Sequence, residues 1–194
     1  MLYWKTSKGG DKMDYLLLLR GINVGGRHRV PMANLRKQLT QGGFTHVRSY
    51  INSGNLFVTS DLSPADCETI IGQLLELNYD FPISFRLLAR PDFLADLAAA
   101  PTWWGADSAL RHNALFKLNQ YEPANDAWLT AHVTSDYDRI WITPTVIFWT
   151  STLKAHFSRS FYSKIMGSDL YHQTSARNFN TTTKLKTILE APHD

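Results

Sequence analysis

Cysteine is nearly absent. The 194 residues hold one, Cys67, so no internal disulfide can form and no cysteine-rich zinc site can be built. Long apolar runs are missing too: the best, residues 15–19, falls far short of the roughly 20 residues of a membrane helix and of the about 7–15 residues of a signal-peptide core. The expected location is the cytoplasm, with no membrane partner. Charged residues make up 19%, far too few for a disordered chain. The seven histidines include no i, i+4 pair and no H-E-x-x-H, so no metal site is expected. There is no G-x-S-x-G elbow, and no cofactor is expected. Cys67 falls in an amphipathic stretch, where a buried inert thiol is the plain expectation.

What is present is core material. Apolar residues reach 44%, with 6 Trp, 8 Tyr and 10 Phe, and the length allows one domain or two small ones. The net charge of +3 is unevenly spread. Residues 15–60 carry Arg20, Arg27, Arg29, Arg36, Lys37 and Arg48 and no acid, a local +6. Residues 153–189 carry six bases against Asp169 alone, a local +5, while residues 61–140 hold twelve acids and five bases, a local −7. Segregation of this kind makes a field that attracts anions if the basic segments share a face, and is a set of solvated surfaces if they do not.

Residues 1–12 lack periodicity and are set aside as a flexible N-terminal extension. The apolar run 15–22 reads as a buried strand. Pro31 opens a helix with Met32, Leu35 and Leu39 on one face, closed by Gly42-Gly43. Strands at 46–51 and 56–59 flank the turn Asn52-Ser53-Gly54-Asn55. Ser63-Pro64-Ala65-Asp66 starts a second helix with Ile70, Ile71, Leu74 and Leu75 inward, and 83–88 is a strand. That order, strand, helix, strand, strand, helix, strand, is the ferredoxin-like βαββαβ pattern. After a helix at 91–100 and a loop at 101–107, the order recurs: strand 113–118, helix 124–132, strands 139–142 and 146–150, helix 161–166, strand 170–174. A last helix spans 181–189. The fold expectation is therefore α+β, two tandem ferredoxin-like subdomains at 13–90 and 108–176, joined by a linker helix and loop at 91–107 and closed by a C-terminal segment at 177–194.

Three segments carry candidate chemistry. Gly21-Ile22-Asn23-Val24-Gly25-Gly26-Arg27-His28 has the glycine spacing of a P-loop, but Arg27 stands where the lysine belongs and His28 where the magnesium-holding hydroxyl belongs. Its glycines still allow close backbone approach to a ligand, with Arg20, Arg27 and Arg29 nearby for phosphate or carboxylate. The turn Tyr50-Ile51-Asn52-Ser53-Gly54-Asn55 is turn chemistry first, so Ser53 and Asn55 are expected to be structural. Arg177-Asn178-Phe179-Asn180-Thr181-Thr182-Thr183-Lys184 precedes the last helix, with Asn180 or a following threonine expected as its cap. The first-turn amides, with Arg177 and Lys184 alongside, are read as an anion seat, the alternative being simple capping with exposed bases. Ser163-Lys164 adds a hydroxyl and an ammonium on what is ordinarily helix surface. Asn55-Leu56-Phe57-Val58 lacks the lead residues of an RNA-recognition motif.

The run Leu19-Arg20-Gly21-Ile22-Asn23-Val24-Gly25-Gly26, then Val30-Pro31-Met32, Tyr50-Ile51-Asn52-Ser53-Gly54-Asn55 and Arg177-Asn178-Phe179-Asn180-Thr181, resembles a bacterial family of domains of unknown function, number 1697. Asn52 replaces the family's usual glutamine, and Phe179 stands where tryptophan is common. The resemblance covers nearly everything from residue 13 to 190. It implies an α+β protein of two ferredoxin-like subdomains and brings no activity with it.

Three function classes follow from the residues. The first is a cytosolic binding protein or enzyme for a small phosphorylated or carboxylated ligand, with Arg20, Asn23, Gly25, Gly26, Arg177, Asn180 and Lys184 as ligand-binding candidates. The second is a nucleic-acid-associated module, and the third a protein–protein interaction domain without a small ligand. No catalytic residue is assigned, and neither an enzymatic role nor an oligomeric state is specified. Arg20, Asn23, Arg177, Asn180 and Lys184 are expected to converge around an anion. In a ferredoxin-like unit the loop after the first strand is expected at the opposite end of the sheet from the turn between strands two and three, which would hold Gly25 away from Ser53.

Overall fold

The computed structural model describes residues 11–133, 136–152 and 156–191 of the chain. Residues 1–10 of the expected N-terminal extension, and Lys154 of the second basic segment, lie outside the described residues. The chain divides into two compact units at Arg90/Pro91. The expected tandem α+β organisation is what forms: two four-stranded antiparallel sheets, with seven α-helices among the described residues.

The first unit runs β1 (Met13–Leu19), α1 (Met32–Gln41), β2 (Thr45–Tyr50), β3 (Asn55–Ser60), α2 (Pro64–Asn78) and β4 (Phe85–Ala89), with sheet order β2-β3-β1-β4. β1 carries the apolar run 15–19 because it is central and buried on both faces: Leu16 to Leu19 are all fully buried. Tyr15, Leu17 and Leu19 pack with Leu35 and Leu39 of α1 and with Cys67, Ile71 and Leu75 of α2. Ser63 caps α2 by accepting the Asp66 amide, with Pro64 in the first turn. Cys67 is buried in this core, and burial pushes its thiol pKa up.

The second unit runs α3 (Arg90–Ala98), β5 (Leu110–Lys117), α4 (Ala124–His132), β6 (Asp138–Ile142), β7 (Val146–Thr152), a 3-10 turn (Phe157–Arg159), α5 (Phe161–Ile165), α6 (Asp169–His172), β8 (Thr174–Asn178) and α7 (Phe179–Glu190). Its sheet order, β6-β7-β5-β8, repeats that of the first. Leu115, Ile147 and Trp149 pack against Leu129 of α4, Tyr162 and Ile165 of α5 and Leu170 of α6. Asp138, buried at 3% exposure, accepts from Trp149 Nε1 at 2.7 Å and from the Phe161 and Tyr162 amides at 2.5 and 3.1 Å. One side chain thus serves the sheet and the open start of α5 together.

Two expectations are corrected. The last strand is not at 170–174. Ser168 accepts the Tyr171 amide and caps a short helix, so Leu170 reaches the core from α6, and β8 follows four residues later at Thr174–Asn178. The loop after β1 also lies at the same end of the sheet as the β2–β3 turn. β1 runs antiparallel to β3, so the end of β1 meets the start of β3: Leu18 pairs with Asn55, and the Leu19 amide donates to the Gly54 carbonyl at 2.8 Å.

Candidate functional site

In the first unit the glycine segment folds as a small hairpin. The Arg27 amide donates to Val24 O and the Asn23 amide to His28 O, with a bridge between Val24 and Arg27. Gly25 and Gly26 sit at its tip with φ of 58° and 76°, the hand that a tight two-residue hairpin turn requires. This backbone demand accounts for both glycines, which are exposed. Asn23, itself at φ 55°, uses its side chain at the hairpin base. Its amide nitrogen donates to Val30 O and Asn52 O at 2.9 and 2.8 Å, and its oxygen accepts the Val30 amide at 2.8 Å. Arg20 is half-buried at the foot of the loop, its backbone amide on Ser84 O. Asn55 is fully buried and donates to Tyr50 O and Ser53 Oγ, both at 3.0 Å.

In the second unit a cleft of about 450 Å3 opens at the start of α7. Gly105, Ser108, Arg111, Asn113, Asn178 and Asn180 line it, together with Leu110, His112 and Phe179. The α7 cap is Asn178, not Asn180 or a threonine: Asn178 Oδ1 accepts the Thr181 amide at 2.8 Å. The preceding amides of this turn have no intrahelical acceptor, and the partial positive charge of the helix start lies there. Asn180 is exposed at the cleft, and Lys184 is exposed one helical turn further along. Arg177 is buried within β8, where its guanidinium donates to Ser175 Oγ and Ala176 O at 3.1 and 2.9 Å, and it does not line the cleft.

The cleft wall is fixed by hydrogen bonds and rings. His112 accepts the Gly105 amide on Nδ1 at 3.1 Å and meets Thr150 Oγ1 at 2.7 Å, while its Nε2 donates to Asp107 O at 2.7 Å. Both ring nitrogens are therefore occupied, and the imidazole braces the loop. Trp104 donates through Nε1 to Asn113 O at 3.0 Å and stacks edge-on against Phe148 and Phe179, with centroids 4.8 and 4.9 Å apart. Arg111 holds its guanidinium 4.7 Å above the Phe157 ring, and its buried Nε has no hydrogen-bond partner among the described residues.

Of the residues singled out in sequence, Arg20, Asn23, Gly25 and Gly26 belong to one loop of the first unit. Arg177, Asn180 and Lys184 belong to consecutive elements of the second. Arg111, Gly105 and Ser108 were missed. Gly105 stands in the loop read at 101–107, Ser108 and Arg111 fall between that loop and the strand read from 113, and β5 begins three residues earlier, at Leu110.

The profile of a family described as "Protein of unknown function (DUF1697)" matches residues 13–148. Among solved structures, the conserved bacterial protein SP0830 from Streptococcus pneumoniae is 34% identical, with a TM-score of 0.84, over 92% of this chain and 99% of that one. No curated protein matches the sequence.

Proposed function

The chain belongs to the DUF1697 family of proteins of unknown function, and within that family's fold we propose that it is a cytoplasmic protein binding a small phosphorylated or carboxylated ligand at the start of α7. The observation that carries this reading is the cleft of about 450 Å3, a size that suits a small metabolite, with Arg111, Asn178 and Asn180 among its lining residues. Arg111 supplies a positive charge beside the cleft, its Nε buried and its guanidinium over Phe157. The opening turn of α7 supplies backbone donors and the positive end of its dipole. Asn180 donates through its amide, and Lys184 adds long-range attraction from the next turn.

Thermal unfolding of the full chain against phosphate esters, nucleotides, sugar phosphates and carboxylic acids tests this. A compound held at 100 times its Kd stabilises by about 2.7 kcal/mol, a shift of several degrees in Tm. Asn180→Asp favours the helix start, which prefers a carboxylate, yet opposes an anion in the cleft. The variant is expected to keep its Tm without ligand and to lose the shift. No stabilisation by any anionic compound, or a shift unchanged in both Asn180→Asp and Arg111→Ala, refutes the reading.

A further inference from the structure

The hairpin of the first unit is a surface feature. Its base is fixed by the three Asn23 side-chain bonds and by His28, whose ring stacks on Phe81 at 4.5 Å and whose Nδ1 lies 3.2 Å from Gly21 O. Beyond that base every residue from Val24 to Arg29 is exposed, Val24 at 68%. Arg27 and Arg29 form no ion pair and no side-chain hydrogen bond among the described residues. The segment from residue 15 to 60 that carries them contains no acid. Exposed cations on a surface hairpin lack the enclosure that a small ligand needs, but they match a partner that supplies its own concavity and many negative charges.

We propose that this hairpin docks on duplex DNA, its two-stranded ribbon entering the major groove and Arg27 and Arg29 pairing with backbone phosphates. The major groove admits a two-stranded ribbon. A guanidinium pairs with phosphate through two parallel N–H donors, geometry that a lysine ammonium does not reproduce. At the tip, Gly25 and Gly26 add no side-chain bulk and Val24 offers only a small apolar surface, so contact is to the backbone and independent of base sequence. The surface lies in the first unit and shares no residue with the α7 cleft, so either assignment stands or falls without the other.

The test is fluorescence anisotropy of the full chain with a labelled 20-base-pair duplex across a salt series, repeated with poly-glutamate as a second polyanion. The wild type is expected to bind the duplex at 50 mM salt, with log K falling linearly against log salt. Each arginine that meets a phosphate contributes about 0.9 to that slope, so Arg27→Ala/Arg29→Ala is expected to flatten it by about 1.8 and to weaken binding at least tenfold. Arg27→Lys/Arg29→Lys, which keeps the charge, is expected to restore most of the slope and only part of the affinity. Absence of binding at 50 mM salt, an unchanged slope in the alanine double variant at unchanged Tm, or equal affinity for poly-glutamate each overturns the proposal.

Discussion

The side-chain amide of Asn23 donates to the backbone carbonyl of Asn52 at 2.8 Å across 29 residues of sequence. The contact ties the hairpin that follows β1 to the turn between β2 and β3. Both loops leave the same end of an antiparallel sheet, and Gly54 allows them to close up. Its φ is 78°, and a Cβ there would lie 2.7 Å from Leu19 Cβ and 3.0 Å from Ile22 Cδ1. The glycines, asparagines and serine of these two segments are therefore one mechanical unit, in which Asn23 is the shared peg.

Removing that peg is expected to be costly. Asn23→Ala loses three hydrogen bonds worth roughly 1 kcal/mol each and places an alanine at φ 55°, a left-handed conformation costing about another 1–2 kcal/mol. A loss of about 3–5 kcal/mol in urea denaturation is expected, with Asn23→Gly recovering only the conformational part. A loss under about 0.5 kcal/mol in Asn23→Ala would show that water replaces the amide without penalty.

Much of the fold was legible because each sheet has one face packed on helices, and period and caps mark such elements. Ser63-Pro64 and the Leu35/Leu39 face announced α2 and α1. β8 was hidden for a physical reason: Thr-Ser-Ala-Arg-Asn carries no apolar alternation, and its strand state comes from pairing with β5. Leu170, the apolar residue that drew the strand assignment, belongs to a capped helical turn. Asn178 and Asn180 are equally good caps on paper. The end of β8 at Asn178 decides between them, since a cap must be extended while the next residue turns helical. The shared end of the two loops in the first unit was misjudged from topology, because antiparallel pairing brings the finish of β1 to the beginning of β3.

Alkaline pH is expected to destabilise the protein. Burial holds the pKa values of Cys67, Tyr15, Tyr79 and Tyr121 above their ordinary values of 9.0 for the thiol and 10.0 for the phenols. Tyr121 is pushed furthest: burial acts first, and its hydrogen bond to Asp126 at 2.7 Å and that carboxylate's charge add to it. Groups with raised native pKa values release protons from the unfolded state first as pH rises. Their stabilising contribution is whole below about pH 9 and is lost progressively above it. Urea midpoints measured from pH 7 to 11 are expected to be level and then to fall, with a shallower fall in Tyr121→Phe. A midpoint still level at pH 11 would contradict this.

Gly105 is the position where the candidate cleft is least forgiving. Its φ is 90°, and a Cβ added there would come within 2.1 Å of the Phe179 ring. An exposed ring would swing away, but Phe179 stands edge-on to Trp104 at 4.9 Å and to His112 at 6.3 Å. His112 in turn is held by Thr150, by Asp107 O and by the Gly105 amide itself. Gly105→Ala therefore combines a left-handed alanine with overpacking, and a cost on the order of 3 kcal/mol is expected. The displaced ring is attached to the first residue of α7, so the same substitution is expected to abolish any ligand-dependent rise in Tm. In Gly105→Ala/Phe179→Ala the steric part disappears, so the two losses should add to more than the double variant shows, by about 1 kcal/mol or more. Strict additivity of the two losses would mean that Phe179 moves freely and that Gly105 does not position the start of α7.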